Sequence, residues 1–265
     1  MSLLTMPRLP LELCEIIISN LNADFSYDRA TLCACSLTCR AFLPASRCRL
    51  FYHVELQGQH TAKLFLNTIC CTRSSTNPIP FIHRLSVSNH YSGGSWVNEA
   101  FPILATCLLD VTFLKLRYVS WGLLDENAQT SLLSGFQKVT SLEISYTSFT
   151  TCDEMSRFLS SFPSLTNLSH VTYQETEIDG ILTAPYTPLP CHLATVTTQS
   201  HHSMLFNQLL SLRSHPQVHD LQIEIQSEYV KSTGMLLKTL GASLENLKIE
   251  YFGLNGQFSS HLVDA

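Results

Sequence analysis

The sequence is poor in charge. Asp, Glu, Lys and Arg make up only 14% of its 265 residues, apolar residues make up 45%, and the formal net charge is −5. Lys and Arg stand singly rather than in clusters, which argues against a phosphate-binding surface and therefore against a nucleic-acid partner. The same balance excludes the disordered class, whose chains cannot bury enough apolar surface to offset chain entropy. Long apolar runs are missing as well: nothing nears the roughly 20 residues that a membrane-spanning helix needs, so no membrane partner is expected. The apolar N-terminus, Met1 to Leu21, lacks a basic segment and is broken by Pro7, Pro10, Glu12 and Glu15. It reads as mature structure rather than a secretion signal, and the protein as cytoplasmic, nuclear or both. A glycine-rich phosphate loop after a strand is also absent. Cysteine is not scarce, with ten in the chain. A chain this long and apolar needs no disulfide scaffold, so the cysteines are expected to act as small buried apolar groups.

What is present falls into two rhythms. Residues 7 to about 56 read as helices in quick succession. Pro10 suits the first turn of a helix, where its missing N–H costs nothing, and Glu12 and Glu15 follow near the positive end of the helix dipole. Leu13, Ile16, Ile17 and Leu21 then fall on one apolar face, with Asn20 and Asn22 marking the stop. Asp28 is the expected N-cap of a second helix through Leu32 and Cys35. A third segment carries Phe42, Leu50 and Phe51, with Pro44 near its start or at a kink, and runs into a short strand at His53-Val54-Glu55-Leu56. So small a helical module buries little surface, which suggests that it packs on a partner or on the next domain.

From residue 57 strands and helices alternate. The strand-like pieces are Arg84–Val87, Phe113–Leu116, Ser141–Ile144, Asn167–Val171, His192–Val196, Asp220–Ile223 and Asn246–Ile249, and most read as x-Leu-x-apolar. Their leading leucines are Leu85, Leu114, Leu142, Leu168, Leu193, Leu221 and Leu247, with a mean spacing of about 27 that lies inside the leucine-rich-repeat window. Between them lie amphipathic helical candidates on Ala62, Phe65, Leu66 and Ile69, on Met155, Phe158, Leu159 and Phe162, and on Leu205, Leu209 and Leu212. The expected fold class is therefore α/β: a helical module at 7–56, then about seven strand–helix units at 57–265 stacked as a solenoid with parallel strands. A doubly wound sheet also alternates strands and helices, but it has no reason to keep its period constant. Nothing after Tyr251 reads as a terminal cap, so the repeats look shortened at their C-terminal end.

The first 56 residues resemble the F-box. The carrying residues are Leu9-Pro10-Leu11-Glu12-Leu13, Ile16-Ile17, the run Leu32-Cys33-Ala34-Cys35-Ser36-Leu37-Thr38-Cys39-Arg40-Ala41-Phe42, and Leu50-Phe51-Tyr52-His53-Val54. With the repeats behind it, the chain is similar to fungal F-box proteins that carry leucine-rich repeats. The resemblance implies a Skp-type adaptor of an SCF ubiquitin ligase as partner, bound through Leu9, Pro10, Leu13, Ile16 and Ile17, with Leu32, Leu37 and Phe42 extending or supporting that surface. It implies a second partner, a target protein, on the repeats, and neither catalysis nor a cofactor. The alternative is a repeat scaffold that works outside any ligase. The pattern departs from the family in its long first connection, Asn22 to Tyr27, and in lacking the repeat asparagine that satisfies backbone groups after each strand.

Other chemistry is weaker. Cys33, Cys35, Cys39 and Cys48 evoke zinc, but Cys-x-Cys on a helix turns its thiols about 200° apart. Cys70-Cys71 reads as the end of an amphipathic helix. His192, His201, His202 and His215 read as solvated, and no local signature selects a Cys–His pair for catalysis. Asp125-Glu126 and Asp153-Glu154 lie where helix capping explains them. The strand-proximal cations Arg84, Lys115, Arg117 and Lys248 are too few for a phosphate-capturing cluster and read as solvated strand residues.

Overall fold

The computed structural model describes residues 10–21, 23, 25–38, 40–70, 78–90, 95–171, 192–199, 217–226, 230–241, 243–252 and 258–264. Three helices come first: α1 (Leu11–Ser19), α2 (Ser26–Thr38) and α3 (Leu43–Tyr52). Pro10 is the N-cap of α1, one residue ahead of the first turn, with ψ 146°. Pro44 lies in the first turn of α3, where its missing N–H costs nothing. Asp28 does not cap α2. The helix starts at Ser26, and Asp28 sits inside its first turn, where its charge still suits the helix dipole. Asn22 and Cys39 lie outside the described residues.

Strand β1 (His53–Gln57) follows α3 directly. The chain continues through α4 (Gln59–Phe65), which runs into a π turn at Leu66–Cys70, then β2 (Arg84–Ser88), α5 (Ser95–Cys107), β3 (Phe113–Arg117), α6 (Glu126–Gly135) and β4 (Ser141–Ser145). Next come α7 (Cys152–Ser160), β5 (Asn167–Val171), β6 (Thr195–Gln199), β7 (Asp220–Gln226), α8 (Val230–Leu240), β8 (Asn246–Phe252) and β9 (Phe258–Asp264). The protein is α/β. Among the described residues nine strands form one sheet in which spatial order equals chain order, parallel from β1 to β8. The last strand, β9, pairs antiparallel with β8.

The register repeats from strand to strand. One column runs Val54, Leu85, Leu114, Leu142, Leu168, Val196, Leu221 and Leu247, and a second runs Leu56, Val87, Leu116, Ile144, His170, Thr198, Ile223 and Ile249. Successive members of each column are 25 to 31 residues apart. Successive side chains on a strand point to opposite faces, so both columns point the same way, into the core. The repeat before β7 corrects the expected register: the strand starts at Thr195, not at His192, and Val196 holds the leucine position. Leu193 is buried ahead of the strand.

A backbone device repeats at the entries of strands β3 to β8. The carbonyl of His83 accepts the amides of Thr112 and Phe113, and the carbonyls of Thr112, Thr140, Thr166, Ala194 and His219 each accept two amides from the next repeat. Three threonines reinforce it: the hydroxyls of Thr112, Thr140 and Thr166 donate to the carbonyls of His83, Thr112 and Thr140 at 3.3, 3.3 and 3.0 Å.

The helices complete the core. Ala62 and Leu66 are buried beneath α4 and its π turn, with Phe65 packed at the margin. Met155, Phe158, Leu159 and Phe162 are all buried, and α7 opens with a capping box in which Thr151 and Glu154 bond each other's backbone amides. Asp125 caps α6 by accepting the Ala128 amide at 2.8 Å. The side chain of Ile69 and residues Leu205, Leu209 and Leu212 lie outside the described residues.

Candidate protein-docking surfaces

Helix α1 buries Cys14 and Ile18 and turns three other large apolar residues outward: Leu13 is 45% exposed, Ile16 56% and Ile17 47%. At 100° per residue these three share an arc of about 100°, centred roughly 130° around the helix from the buried pair. The expected apolar face therefore exists, but it is the solvent face and not the core face. Its hold on the module comes from the other side. Arg49 of α3 donates from Nη2 to the Ser19 carbonyl at 2.8 Å, placing a cation at the negative end of α1.

The remaining expected docking residues divide. Pro10 is exposed at the head of α1, and Leu37, at 87%, is the most exposed large apolar side chain of the described residues. Leu32 is fully buried, so it supports the module from inside. Phe42 is half-buried at the N-cap of α3. Leu9 lies outside the described residues. Phe25 and Tyr27 were not singled out by the sequence, yet both are exposed and their rings stack at 5.8 Å. They lie where the connection from α1 enters α2, and their signal was two aromatics in a polar stretch.

The cysteines of this module differ from expectation. Cys14 is buried, but Cys33 and Cys48 are exposed and Cys35 is half-buried. A short module has too little interior to take them all. Among the described residues no group of three His, Cys, Asp or Glu side chains is placed to hold a metal ion. His192 is exposed, and Cys71, His201, His202 and His215 lie outside the described residues.

The second surface is the polar face of the sheet, opposite the two apolar columns. Its lysines are paired: Lys115 with Glu143 at 2.6 Å and Lys248 with Glu250 at 2.7 Å. Its arginines instead lie on aromatic rings. The Arg84 guanidinium sits 4.2 Å from the Phe113 ring centroid, and that of Arg117 is 5.0 and 5.5 Å from the rings of Tyr118 and Tyr146. Tyr118 and Tyr146 stack on each other at 4.7 Å, and His90 meets Tyr118 edge-on at 4.3 Å. Both tyrosines directly follow their strands and have positive φ, 56° and 53°. In that conformation the Tyr118 amide donates to the Ser145 carbonyl and the Tyr146 amide to that of Val171, continuing the ladder past the strand ends.

Away from this face, Lys138 hydrogen-bonds Asp110 at 2.6 Å and, by that bond and its charge, lowers the carboxyl pKa. His170, in the second apolar column, is pushed down to about 4 by burial.

No model of a known protein family matches this chain, and no curated protein sequence is significantly similar to it. Among the described residues no helix is long and apolar enough to cross a membrane.

Proposed function

We propose that this chain is the target-recognition subunit of an SCF-type ubiquitin ligase. The helical module at 7–56 binds a Skp-type adaptor, and the remainder, a leucine-rich-repeat-like solenoid, holds the target protein. The observation that carries the reading is the solvent-facing apolar side of α1, with Leu13, Ile16 and Ile17 roughly half exposed while smaller Cys14 faces inward. Completing the burial of these three side chains would stabilise a complex by on the order of 3 kcal/mol. That is a central apolar anchor for an interface of ordinary size. By the F-box resemblance Leu37 and Pro10 belong to the same surface, and the Leu-Pro and Leu-x-x-Cys-x-Leu-x-Cys-Arg-x-Phe pattern is what carries that resemblance.

The solenoid reading is supported by the strict chain order of the parallel strands and by the near-constant period. A doubly wound sheet reverses its strand order part-way. The threonines at strand entry serve the backbone much as the repeat asparagine does after each strand in ordinary leucine-rich repeats.

The test is co-purification of the full chain with a Skp-type adaptor. Wild type is expected to bind stoichiometrically, and Ile16→Asp with Ile17→Asp to weaken binding at least tenfold while leaving thermal unfolding unchanged. A well-folded wild type that binds no such adaptor would sink the ligase assignment and leave a repeat scaffold acting outside any ligase.

A further inference from the structure

The polar face of the sheet is electrically uneven. By register, strands β1 to β4 present Arg84, Lys115 and Arg117 against Glu55 and Glu143, whereas β7 and β8 present only Lys248 against Asp220, Glu224 and Glu250. The first half is net positive and the second net negative. Lys115 is already satisfied by Glu143. Arg117 is exposed, and none of the ion pairs among the described residues includes it. Its nearest polar contact is a long one, 3.5 Å from Nη2 to the Tyr118 hydroxyl oxygen.

Arg117 is nonetheless positioned. Two stacked tyrosine rings lie against its guanidinium, which holds the planar fork while leaving its N–H groups to donate elsewhere. The rings are held there by backbone that L-residues rarely adopt, at the same offset after two consecutive strands. Strain of this kind persists where the surrounding structure enforces it, and it gathers at ligand clamps. The two facts are independent: one concerns the charge left over, the other the conformation that aims it.

We propose that this ledge, formed by His90, Arg117, Tyr118 and Tyr146 at the C-terminal ends of β2 to β4, binds an acidic segment of the target protein. A Glu or Asp carboxylate accepts two hydrogen bonds from the Arg117 fork, and the residues beside it lie along the tyrosine rings. This deepens the ligase reading and rests on it for the word target, but the binding chemistry does not depend on the adaptor.

The full chain is presented with an immobilised library of twelve-residue peptides with randomised flanks around a central Glu-Glu, Gln-Gln or phosphoserine pair. The Glu-Glu set is expected to be retained at least tenfold better than the Gln-Gln set. Arg117→Ala should abolish the preference, and Arg117→Lys, which keeps the charge but loses the fork, should fall between. Thermal unfolding of both variants checks that the fold is kept. Equal retention of the Gln-Gln set, an unchanged Arg117→Ala variant, selective retention of phosphoserine, or no retention at all would overturn the inference. Adaptor binding is measured on the same preparations. Its loss with peptide preference intact counts against the ligase reading alone, and the reverse counts against the acidic ledge alone.

Discussion

His170 occupies a position that Leu116, Ile144 and Ile223 fill elsewhere in the same column, and it is only 4% exposed. Burial holds its pKa near 4, against an ordinary value of 6.5. The unfolded chain therefore takes up a proton between these values that the folded chain refuses. Stability is expected to be full above pH 6.5, to fall by on the order of 2–3 kcal/mol as the pH drops towards 4, and to level off below. Urea unfolding of wild type and His170→Leu across this window checks it: the pH slope should shrink in the variant, and an equal slope would assign the effect elsewhere. His170 stands where the x-Leu-x-apolar pattern of the other strands puts an apolar residue. The pattern does not show that the site stays fully enclosed, because that depends on neighbouring strands. Tyr118 and Tyr146 were legible in principle, as aromatics four residues after Leu114 and Leu142. The spacing of buried leucines does not reveal them, and left-handed backbone leaves no pattern in a non-glycine residue.

Among the elements, helices α5 and α6 meet where Gly135 ends α6. A Cβ there would overlap the Cβ of Ala105 and come within 2.9 Å of its Cα. Gly135→Ala is expected to cost about 2 kcal/mol, since overpacking of this kind forces one helix away from the other. Adding Ala105→Gly should return part of that loss and give a coupling of about 1 kcal/mol in a double-mutant cycle. Simple additivity would mean that the helices do not touch there. The strands were the most legible elements, because a buried column demands the same residue type at each return of the chain. The expected register failed at β6 for the same reason: Leu193 fits the leucine period, while the true column holds Val196 and the second column Thr198. Helix α1 was legible as a helix but not in its orientation. Periodicity shows that Leu13, Ile16 and Ile17 share a face, and only the packing of Cys14 and Ile18 shows which way that face looks.

At the scale of the whole molecule, every strand pairs only with its neighbours in the chain. Damage should therefore stay local. Leu142→Ala removes a fully buried side chain from the first column and should cost about 2–5 kcal/mol. Amide exchange is expected to accelerate in β3, β4 and β5 while β8 keeps its protection. Uniform acceleration across all strands would show instead that the sheet opens as one unit. The strand order has a consequence during synthesis as well. Each strand from β2 to β8 leaves the ribosome with its partner already made 25 to 31 residues behind it. At roughly 5–20 residues per second, a new pairing closes every few seconds and none waits for a strand still to come. Only Phe258–Asp264 must reverse direction to dock. A ribosome that pauses midway would thus hold a chain already zipped to its newest strand, and that strand is the one growing edge for a chaperone to guard.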